Sequence, residues 1–193
     1  MRIIGGRYRG RPLKAPRGRE TRPTTDRVRE AIFNMLGDVP SGVRALDLFA
    51  GSGAMGLEAI SRGSAGATFV DSSREACRTI ADNAAALGVR EKCRIMEKDV
   101  MQFLAASEGR GGVYSLVFLD PPYGAGFPRE VLEALVSWPG LADPAIVVVE
   151  TERAAPGTLE ESAVVDEKLA PLRTRVYANT AVLIYRWSTG GES

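Results

Sequence analysis

The stretch LDLFAGSGAMG, residues 46–56, joins an apolar run to a pattern typical of an α-helix. Its three glycines have the spacing G-x-G-x-x-G, which lets the turn after a strand adopt positive φ and lets a ligand approach the backbone. The helix that follows presents unpaired N–H groups in its first turn. This stretch predicts the strand, turn and helix start of a nucleotide-binding βαβ unit, but its ligand has to be identified from other residues.

Apolar runs alternate with amphipathic patterns over most of the chain, which indicates an α/β fold with a mostly parallel sheet covered by helices on both faces. The predicted strands are Ala45–Phe49, Ala67–Val70, Cys93–Met96, Ser115–Leu119 and Ala145–Val149. The predicted helices are one that begins near residues 24–26 and others at Ala54–Arg62, Ser73–Leu87, Val100–Ala106 and Pro128–Trp138. Ser72 and Glu75 have the spacing of a capping box. The segments Ala163–Asp166 and Thr174–Trp187 predict a closing antiparallel hairpin.

The composition is that of a globular protein, and 193 residues suit one domain with a sizeable core. No stretch approaches the roughly 20 apolar residues of a membrane helix, and Cys77 and Cys93 form no CxxC pair. We therefore expect a cytoplasmic protein with reduced thiols, no membrane partner and no metal. The absence of histidine excludes Ser-His-Asp and Cys-His catalysis and removes the commonest nitrogen ligand of zinc sites.

Positive charge is concentrated in the first 29 residues, which hold ten basic side chains against two acidic ones, whereas the rest of the chain holds 15 basic and 22 acidic side chains. Such a run is either an ordinary solvated face or an arm that binds phosphates, and its confinement to one end favours nucleic acid. The first residues would form a short hairpin or an extended arm. The candidate RNA contacts are Arg2, Arg7, Arg9, Arg11, Lys14, Arg17 and Arg19.

An acidic residue lies at or near the end of each predicted parallel strand, at the edge where open α/β sheets bind ligands. Any one of them could simply cap the next helix. Asp71, 20 residues after Gly51, is placed to accept hydrogen bonds from ribose hydroxyls, which would suit a nicotinamide or flavin dinucleotide equally well. Asp47 favours a cofactor with a cationic amino-acid end over a pyrophosphate, and Asp99 is placed to meet an adenine amino group. Together these residues favour S-adenosylmethionine. The full set of acids is Asp47, Asp71, Asp99, Asp120 and Glu150.

The segment DPPYG, residues 120–124, follows the fourth predicted strand and carries the strongest signal in the chain. Its prolines fix the backbone, remove two N–H donors and leave carbonyl oxygens to accept hydrogen bonds. Methylation of an exocyclic amino group needs such acceptors, because they localise a nitrogen lone pair that is otherwise delocalised into the base ring. We expect Asp120 and the Pro121 carbonyl, which precedes Pro122, to bind the amino group at the mouth of the cofactor crevice. Tyr123 would stack on the base. The alternative is an ordinary rigid turn between a strand and a helix.

With these motifs the chain resembles class I S-adenosylmethionine-dependent methyltransferases, and in particular the RsmD family of bacterial 16S rRNA guanine-N2 methyltransferases. The resemblance implies a Rossmann-like, mostly parallel seven-stranded sheet with an antiparallel last strand. It also implies methylation of guanine 966 of 16S rRNA. The substrate would be either the 16S rRNA itself or a partly assembled small ribosomal subunit. We expect a monomer. The matching stretches are residues 1–11 (MRIIGGRYRGR), 21–34 (TRPTTDRVREAIFN), 46–56, 70–71, 117–124 (VFLDPPYG) and 177–185.

The resemblance further implies a role for each part of the chain. Residues 1–23 would be a basic RNA-docking arm, residues 24–193 the methyltransferase domain, and residues 120–123 the holder of a flipped guanine. Gly5, where alanine is more usual, and the pair at 178–179, where a glycine-containing pair is more typical, depart from the family only at the periphery. The cofactor would contact Asp47, Phe49, Ala50, Gly51, Gly53, Asp71, Ser72, Asp99 and Val100, with Arg22 and Thr25 closing over its methionine end.

Other functions fit parts of the sequence. Adenine-N6 methylation of RNA or DNA would use the same acceptors, although the short arm leaves little outside the core with which to read a duplex sequence. A structured RNA, recognised by its shape, suits the arm better. A non-catalytic RNA-binding protein is disfavoured by the intact tetrapeptide at residues 120–123, and a nicotinamide dehydrogenase lacks an evident acid pair.

Overall fold

The computed structural model describes residues 1–16, 26–39, 42–106, 113–122, 128–152 and 166–190. The strands within these ranges are β1 (Arg44–Leu48), β2 (Gly66–Asp71), β3 (Cys93–Glu97), β4 (Tyr114–Leu119), β5 (Leu141–Glu152), β6 (Leu169–Tyr177) and β7 (Thr180–Trp187). The α-helices are α1 (Asp26–Leu36), α2 (Ala54–Ser61), α3 (Arg74–Leu87), α4 (Val100–Ala105) and α5 (Arg129–Val136). No helix in the described ranges is long and apolar enough to cross a membrane.

The strands of the described residues form one seven-stranded sheet in the order β3-β2-β1-β4-β5-β7-β6. β2 is parallel to β1 and β3, and β5 is parallel to β4. β7 runs antiparallel to both β5 and β6. The strand that reverses direction is thus the last one along the chain, which confirms the predicted Rossmann-like α/β class.

The chain divides into two compact units, Met1–Asp99 and Val100–Ser193. In the first unit, residues 45–48 of β1 and all of β2 are buried, as expected for parallel strands covered on both faces. All eight residues of α2 are buried as well. A helix buried on every side needs an almost wholly apolar sequence, so the acidic Glu58 within it requires a specific partner.

The start of α3 differs from the prediction. Ser73, not Ser72, is the N-cap, and its hydroxyl accepts a hydrogen bond from the Ala76 N–H at 3.3 Å. The capping box of Ser72 and Glu75 was therefore wrong by one residue. The physical reason is that Asp71 Oδ1 accepts the Ser73 N–H at 2.8 Å and fixes the chain so that the second serine reaches the helix. The helix ends at Gly88, as predicted, with φ of 70°.

The second unit contains an aromatic cluster around Trp138, which follows α5. Its ring lies 5.4 Å from that of Phe103 in α4 and 5.6 Å from that of Tyr114 in β4, measured between centroids. β7 is buried along most of its length, whereas β6 is exposed from residue 170 to residue 176. β6 therefore forms an exposed edge of the sheet.

The tail forms the predicted antiparallel hairpin, but its strands lie elsewhere. The alternating pattern of residues 174–187 contains a turn at Ala178 and Asn179, and it covers the end of β6 and the whole of β7. Asp166 precedes β6, and residues 163–165 of the other predicted strand lie outside the described residues. The prediction failed because a two-residue turn preserves the alternation of apolar and polar residues.

Candidate cofactor site and basic arm

The glycine turn between β1 and α2 has the geometry that its sequence predicts. Gly51 and Gly53 adopt φ of 54° and 76°, which glycine tolerates without strain, and the Gly53 N–H donates to the Ala50 carbonyl at 2.7 Å. Phe49 also has a positive φ, 62°, which is rare for a residue with a side chain. Among the described residues outside its chain neighbours, a Cβ built on Gly51 would meet only the Phe49 carbonyl oxygen, at the ordinary contact distance of 3.9 Å, so the backbone here is not tightly packed.

Gly56, the third glycine, has a packing role. A Cβ built on it would lie 2.4 Å from Phe69 Cε1 and 3.2 Å from the Ala67 side chain. Both neighbours belong to β2, which is buried. Only glycine lets α2 approach the sheet this closely, and the close approach brings the N-terminus of α2 to the carboxyl end of β1.

Two of the predicted cofactor acids hold the glycine turn in place. Asp71 is buried, and its Oδ2 accepts the Gly51 N–H at 2.9 Å while its Oδ1 holds the start of α3. Asp47 is also buried, and its Oδ2 accepts the Gly56 N–H in the first turn of α2 at 2.9 Å. Because both carboxylates bind backbone N–H groups beside the turn, they stabilise the shape of the site that they were predicted to form.

The remaining predicted cofactor residues are placed as follows. Phe49 is half-buried and Ala50 is buried in the turn, and Ser72 is exposed between β2 and α3. Asp99 is exposed after β3, and Val100 is the buried first residue of α4. Arg22 and Thr25 lie outside the described residues, so their role over the methionine end stays a prediction.

The predicted acceptor segment begins directly after β4. Asp120 and Pro121 are half-buried and Pro122 is exposed, whereas Tyr123 lies outside the described residues. Since the preceding strand is buried from Leu116 to Leu119, Asp120 is the first residue to emerge from the core at the carboxyl end of β4. The stacking role of Tyr123 stays a prediction.

The described part of the basic arm, residues 1–16, folds back on itself and packs against the rest of the first unit. Arg2 and Pro12 form an antiparallel bridge, and the Ile3 N–H donates to the Arg11 carbonyl at 2.9 Å. Ile3 and Leu13 are buried. The described part of the arm is therefore a closed hairpin-like loop, one of the two forms expected from the sequence.

Glu58 holds the beginning of the arm, and sequence reasoning missed it. Its side chain is 0% exposed, and it accepts the N–H groups of Ile4 and Gly5 at 2.8 and 2.7 Å. Arg62 Nε donates to it at 2.8 Å, and the Nε of buried Arg29 lies 3.7 Å away. The available signal was a glutamate on the apolar surface of α2 with an arginine four residues later.

Asn83 of α3 holds the arm at Lys14, near the end of its described part, and was also missed. Its Oδ1 accepts the Lys14 N–H at 2.8 Å, and its Nδ2 donates to the Lys14 carbonyl at 3.0 Å. The same Nδ2 donates to the carbonyl of Ser52, inside the glycine turn, at 3.0 Å. The only signal in the sequence was a polar residue on the apolar face of a predicted helix.

The basic side chains of the arm remain at the surface. Arg2, Arg7, Arg9, Arg11 and Lys14 are all exposed, and Arg17 and Arg19 lie outside the described residues. Their contacts with acids are peripheral: Arg2 lies 3.7 Å from Asp26, and Lys14 lies 3.1 Å from Asp82. Exposed pairs of this kind contribute about 0–1 kcal/mol and are readily exchanged for other anions.

The two cysteines are not activated nucleophiles. Burial raises the pKa of the Cys77 thiol to about 11, with a further contribution from the Asp71 carboxylate, and burial raises that of Cys93 to about 11 as well. A thiol with so high a pKa is almost wholly protonated near neutral pH. The described residues contain no cluster of three or more His, Cys, Asp or Glu side chains that could hold a metal ion.

Comparison with known proteins places the chain in a family. Residues 1–186 match the family described as Conserved hypothetical protein 95. Ribosomal RNA small subunit methyltransferase D of Escherichia coli (strain K12) is 43% identical over 152 residues, which cover 79% of this chain and 75% of the relative. The Bacillus subtilis (strain 168) protein YlbH is 37% identical over 188 residues, which cover 96% and 98%. The solved structure of the Escherichia coli protein yhhF has a TM-score of 0.80 at 36% identity, and the match covers 98% of this chain and 99% of that one. The chain therefore belongs to the RsmD family of class I S-adenosylmethionine-dependent methyltransferases.

Proposed function

We propose that this protein transfers a methyl group from S-adenosylmethionine to the exocyclic N2 amino group of a guanine in small-subunit ribosomal RNA, at position 966 of 16S rRNA by resemblance. The observation that carries the proposal is the segment Asp120-Pro121-Pro122-Tyr123, whose described residues, Asp120 to Pro122, emerge from the buried core at the carboxyl end of β4. It occurs in a chain 43% identical to a relative named as a ribosomal RNA small subunit methyltransferase.

The first unit supports S-adenosylmethionine as the cofactor. The Gly51 backbone is not tightly packed by the described residues, which is compatible with a ligand beside the turn, and α2, whose N-cap is Gly53, starts at the same place with its N-terminal N–H groups. Asp71 holds this turn, and because each carboxylate oxygen can accept more than one hydrogen bond, holding the turn is compatible with binding a ribose hydroxyl. The negative charge of Asp47 would favour the cationic amino-acid end, and Asp99 the adenine amino group.

The second unit supplies the groups that would act on the base. S-adenosylmethionine supplies an electrophilic methyl group on a sulfonium centre. Asp120 and the Pro121 carbonyl would accept the two N2 hydrogens, localise the nitrogen lone pair and aim it at that methyl group, with Tyr123 stacked on the base. When the N–C bond formed and the S–C bond broke, the Asp120 carboxylate would stabilise the positive charge on the amino nitrogen. One proton would then leave to water, and the products would be N2-methylguanine and S-adenosylhomocysteine.

The basic arm supports RNA as the substrate. Its exposed side chains present positive charge for phosphates, while the buried Ile3 and Leu13 keep it attached to the unit that would hold the cofactor. Naked rRNA and a partly assembled small subunit both offer such phosphates. Acting on either as a monomer, the enzyme would work in the cytoplasm, where small subunits are assembled.

The test is in vitro methylation of a small-subunit rRNA transcript and of small-subunit particles, followed by mass analysis of the nucleosides. The wild-type protein should form N2-methylguanosine. Asp120→Ala should reduce kcat by about 10²–10³-fold, the usual cost of losing an electrostatic stabiliser, while S-adenosylhomocysteine still binds in calorimetry. Glu133→Gln, at an exposed position in α5, is the control and should keep full activity. N6-methyladenosine as the product would refute the guanine assignment, and a kcat of Asp120→Ala close to the wild-type value would refute the role of Asp120.

A further inference from the structure

Asn83 connects two functional parts of the first unit that are distant in sequence. It lies in α3, 69 residues from Lys14 in the basic arm and 31 residues from Ser52 in the glycine turn, and it binds the backbone of both. The side chain is 2% exposed. A buried amide that makes three hydrogen bonds within 3.0 Å is fixed in place and fixes what it binds.

The pattern of these bonds is specific. With Lys14 the amide exchanges two hydrogen bonds, N–H to Oδ1 and Nδ2 to carbonyl, so it substitutes for a neighbouring β-strand at the end of the arm. Its second amide hydrogen goes to the Ser52 carbonyl. Asparagine has one acceptor and two donor hydrogens in this arrangement, and all are used.

The Ser52 carbonyl lies between the two glycines of the turn. The preceding residue, Gly51, donates its N–H to Asp71, and the following residue, Gly53, is the N-cap of α2. Asp71, which is predicted to bind the cofactor ribose, thus holds the turn from one side, and Asn83 holds it from the other. A shift of Lys14 can reach the turn through a single side chain.

The opposite end of the arm is attached to the same turn by a second route. Glu58 binds Ile4 and Gly5, and it belongs to α2, the helix that starts at the turn. In addition, the Ser52 hydroxyl donates to the Met1 sulfur at 3.6 Å. Both ends of the described part of the arm, residues 1–16, therefore rest on the elements that shape the cofactor turn.

We propose that Asn83 is a positioning residue that couples order in the basic arm to order in the glycine turn, so that RNA bound on the arm and cofactor bound at the turn strengthen each other. The proposal rests on the proposed function of these two segments. Two segments that share buried hydrogen bonds gain order together, and a ligand that orders one lowers the entropic cost of ordering the other. By reciprocity the cofactor must affect the arm as strongly as RNA affects the turn.

The first test is hydrogen exchange of backbone amides in the full chain without ligand or RNA. Asn83→Ala should speed amide exchange at Lys14 and at Gly53 together. Each rate should rise by about fivefold or more, because fivefold is the smallest effect typical of energetic coupling between two sites. Asp82→Ala is the matched control. Asp82 is the adjacent residue on α3 and also contacts Lys14, but through an exposed ion pair of 3.1 Å. This control should leave both exchange rates within about twofold. If Asn83→Ala speeds exchange at Lys14 alone, the coupling is refuted.

The second test adds S-adenosylhomocysteine. In the wild-type and Asp82→Ala proteins it should slow exchange at the Lys14 amide, whereas in Asn83→Ala it should still bind in calorimetry without slowing that amide. Asn83→Leu, which refills the side-chain volume, replaces the alanine variant if the latter does not fold. Slowing that persists in the Asn83 variant refutes the proposal. If the wild-type protein binds no S-adenosylhomocysteine, the proposed function fails, and the ligand-free comparison still decides the role of Asn83.

Discussion

Replacing Glu58 by glutamine removes one negative charge from a site where several donors converge. The carboxylate is wholly buried and accepts the Ile4 and Gly5 N–H groups and Arg62 Nε, all within 2.8 Å. Glutamine keeps one acceptor oxygen but turns an NH2 donor toward the other donors. It also removes the carboxylate that lies 3.7 Å from Nε of Arg29, whose side chain is 0% exposed. Breaking a buried pair in this way costs about 3–5 kcal/mol.

The size of this effect can be measured by thermal unfolding. For a domain of 150–250 residues each kcal/mol lowers Tm by about 2–4 °C, so Glu58→Gln should lower it by roughly 6–20 °C. The Ile4 and Gly5 amides should also lose protection against hydrogen exchange, since their acceptor is weakened. Glu133→Gln, which removes the same charge from an exposed position, is the control. A Tm within about 2 °C of the wild-type value, with Ile4 and Gly5 still protected, would refute the role given to Glu58.

Two further predictions concern the packing at Gly56 and the pKa values of two thiols and one tyrosine. Gly56→Ala should lower the unfolding free energy in denaturant by about 1–3 kcal/mol, because its Cβ would lie 2.4 Å from the Phe69 ring, whereas Gly190→Ala, with open space around it, should be neutral. Burial raises the pKa of Cys77 and Cys93 from 9.0 to about 11 and that of Tyr185 from 10.0 to about 12. The folded state therefore holds these protons more tightly than the unfolded state, and the stability present below pH 9 is lost as the pH rises toward 11. Tm measured from pH 9 to pH 11 should fall, and it should fall less steeply in Cys77→Ala. A constant Tm would contradict the raised pKa values of these groups.

The glycine turn could be predicted because its requirements are local. Positive φ at Gly51 and Gly53 and the close approach at Gly56 each demand a residue without a side chain, and the demand is visible as a spacing in the sequence. The Rossmann-like class followed for a similar reason, since buried parallel strands need continuous apolar runs. The error at Ser72 shows the limit of such local reasoning. Two adjacent serines offer the same cap, and the backbone contact of Asp71 decides between them.

Glu58 and Asn83 could not be predicted because their partners are main-chain groups far along the chain. Glu58 binds N–H groups 53 and 54 residues away, and Asn83 binds a carbonyl 31 residues away. Every residue except proline carries the same N–H and C=O groups, so the sequence does not mark which of them will be accepted. What the sequence does show is a polar side chain where an apolar one is expected, and such a position indicates a buried partner of unknown identity.

For the acids at the strand ends the sequence left two roles open, capping the next helix and binding a cofactor, and the two roles are compatible. Asp47 does stabilise the next helix, through the Gly56 N–H, and Asp71 does bind backbone groups at the turn and at α3. Neither contact argues against cofactor binding, because each fixes the carboxylate at the edge of the turn where a ligand would lie. A site whose acids are already held by the backbone loses little entropy when a ligand arrives, which favours tight binding.

The charge of the first 29 residues is divided by burial into two functions. Arg29 is 0% exposed, and its guanidinium contacts Asp26, Glu58 and the Arg2 carbonyl, so its charge serves the attachment of the arm. The arginines at 2, 7, 9 and 11 are exposed and lie along the hairpin that this attachment holds. A net charge counted from the sequence adds the two groups together, although of these described residues the exposed arginines can meet a phosphate and the buried Arg29 cannot. Substituting the exposed arginines should therefore weaken RNA binding without unfolding the arm, whereas Arg29 or Glu58 variants should release the arm and weaken RNA binding as a consequence.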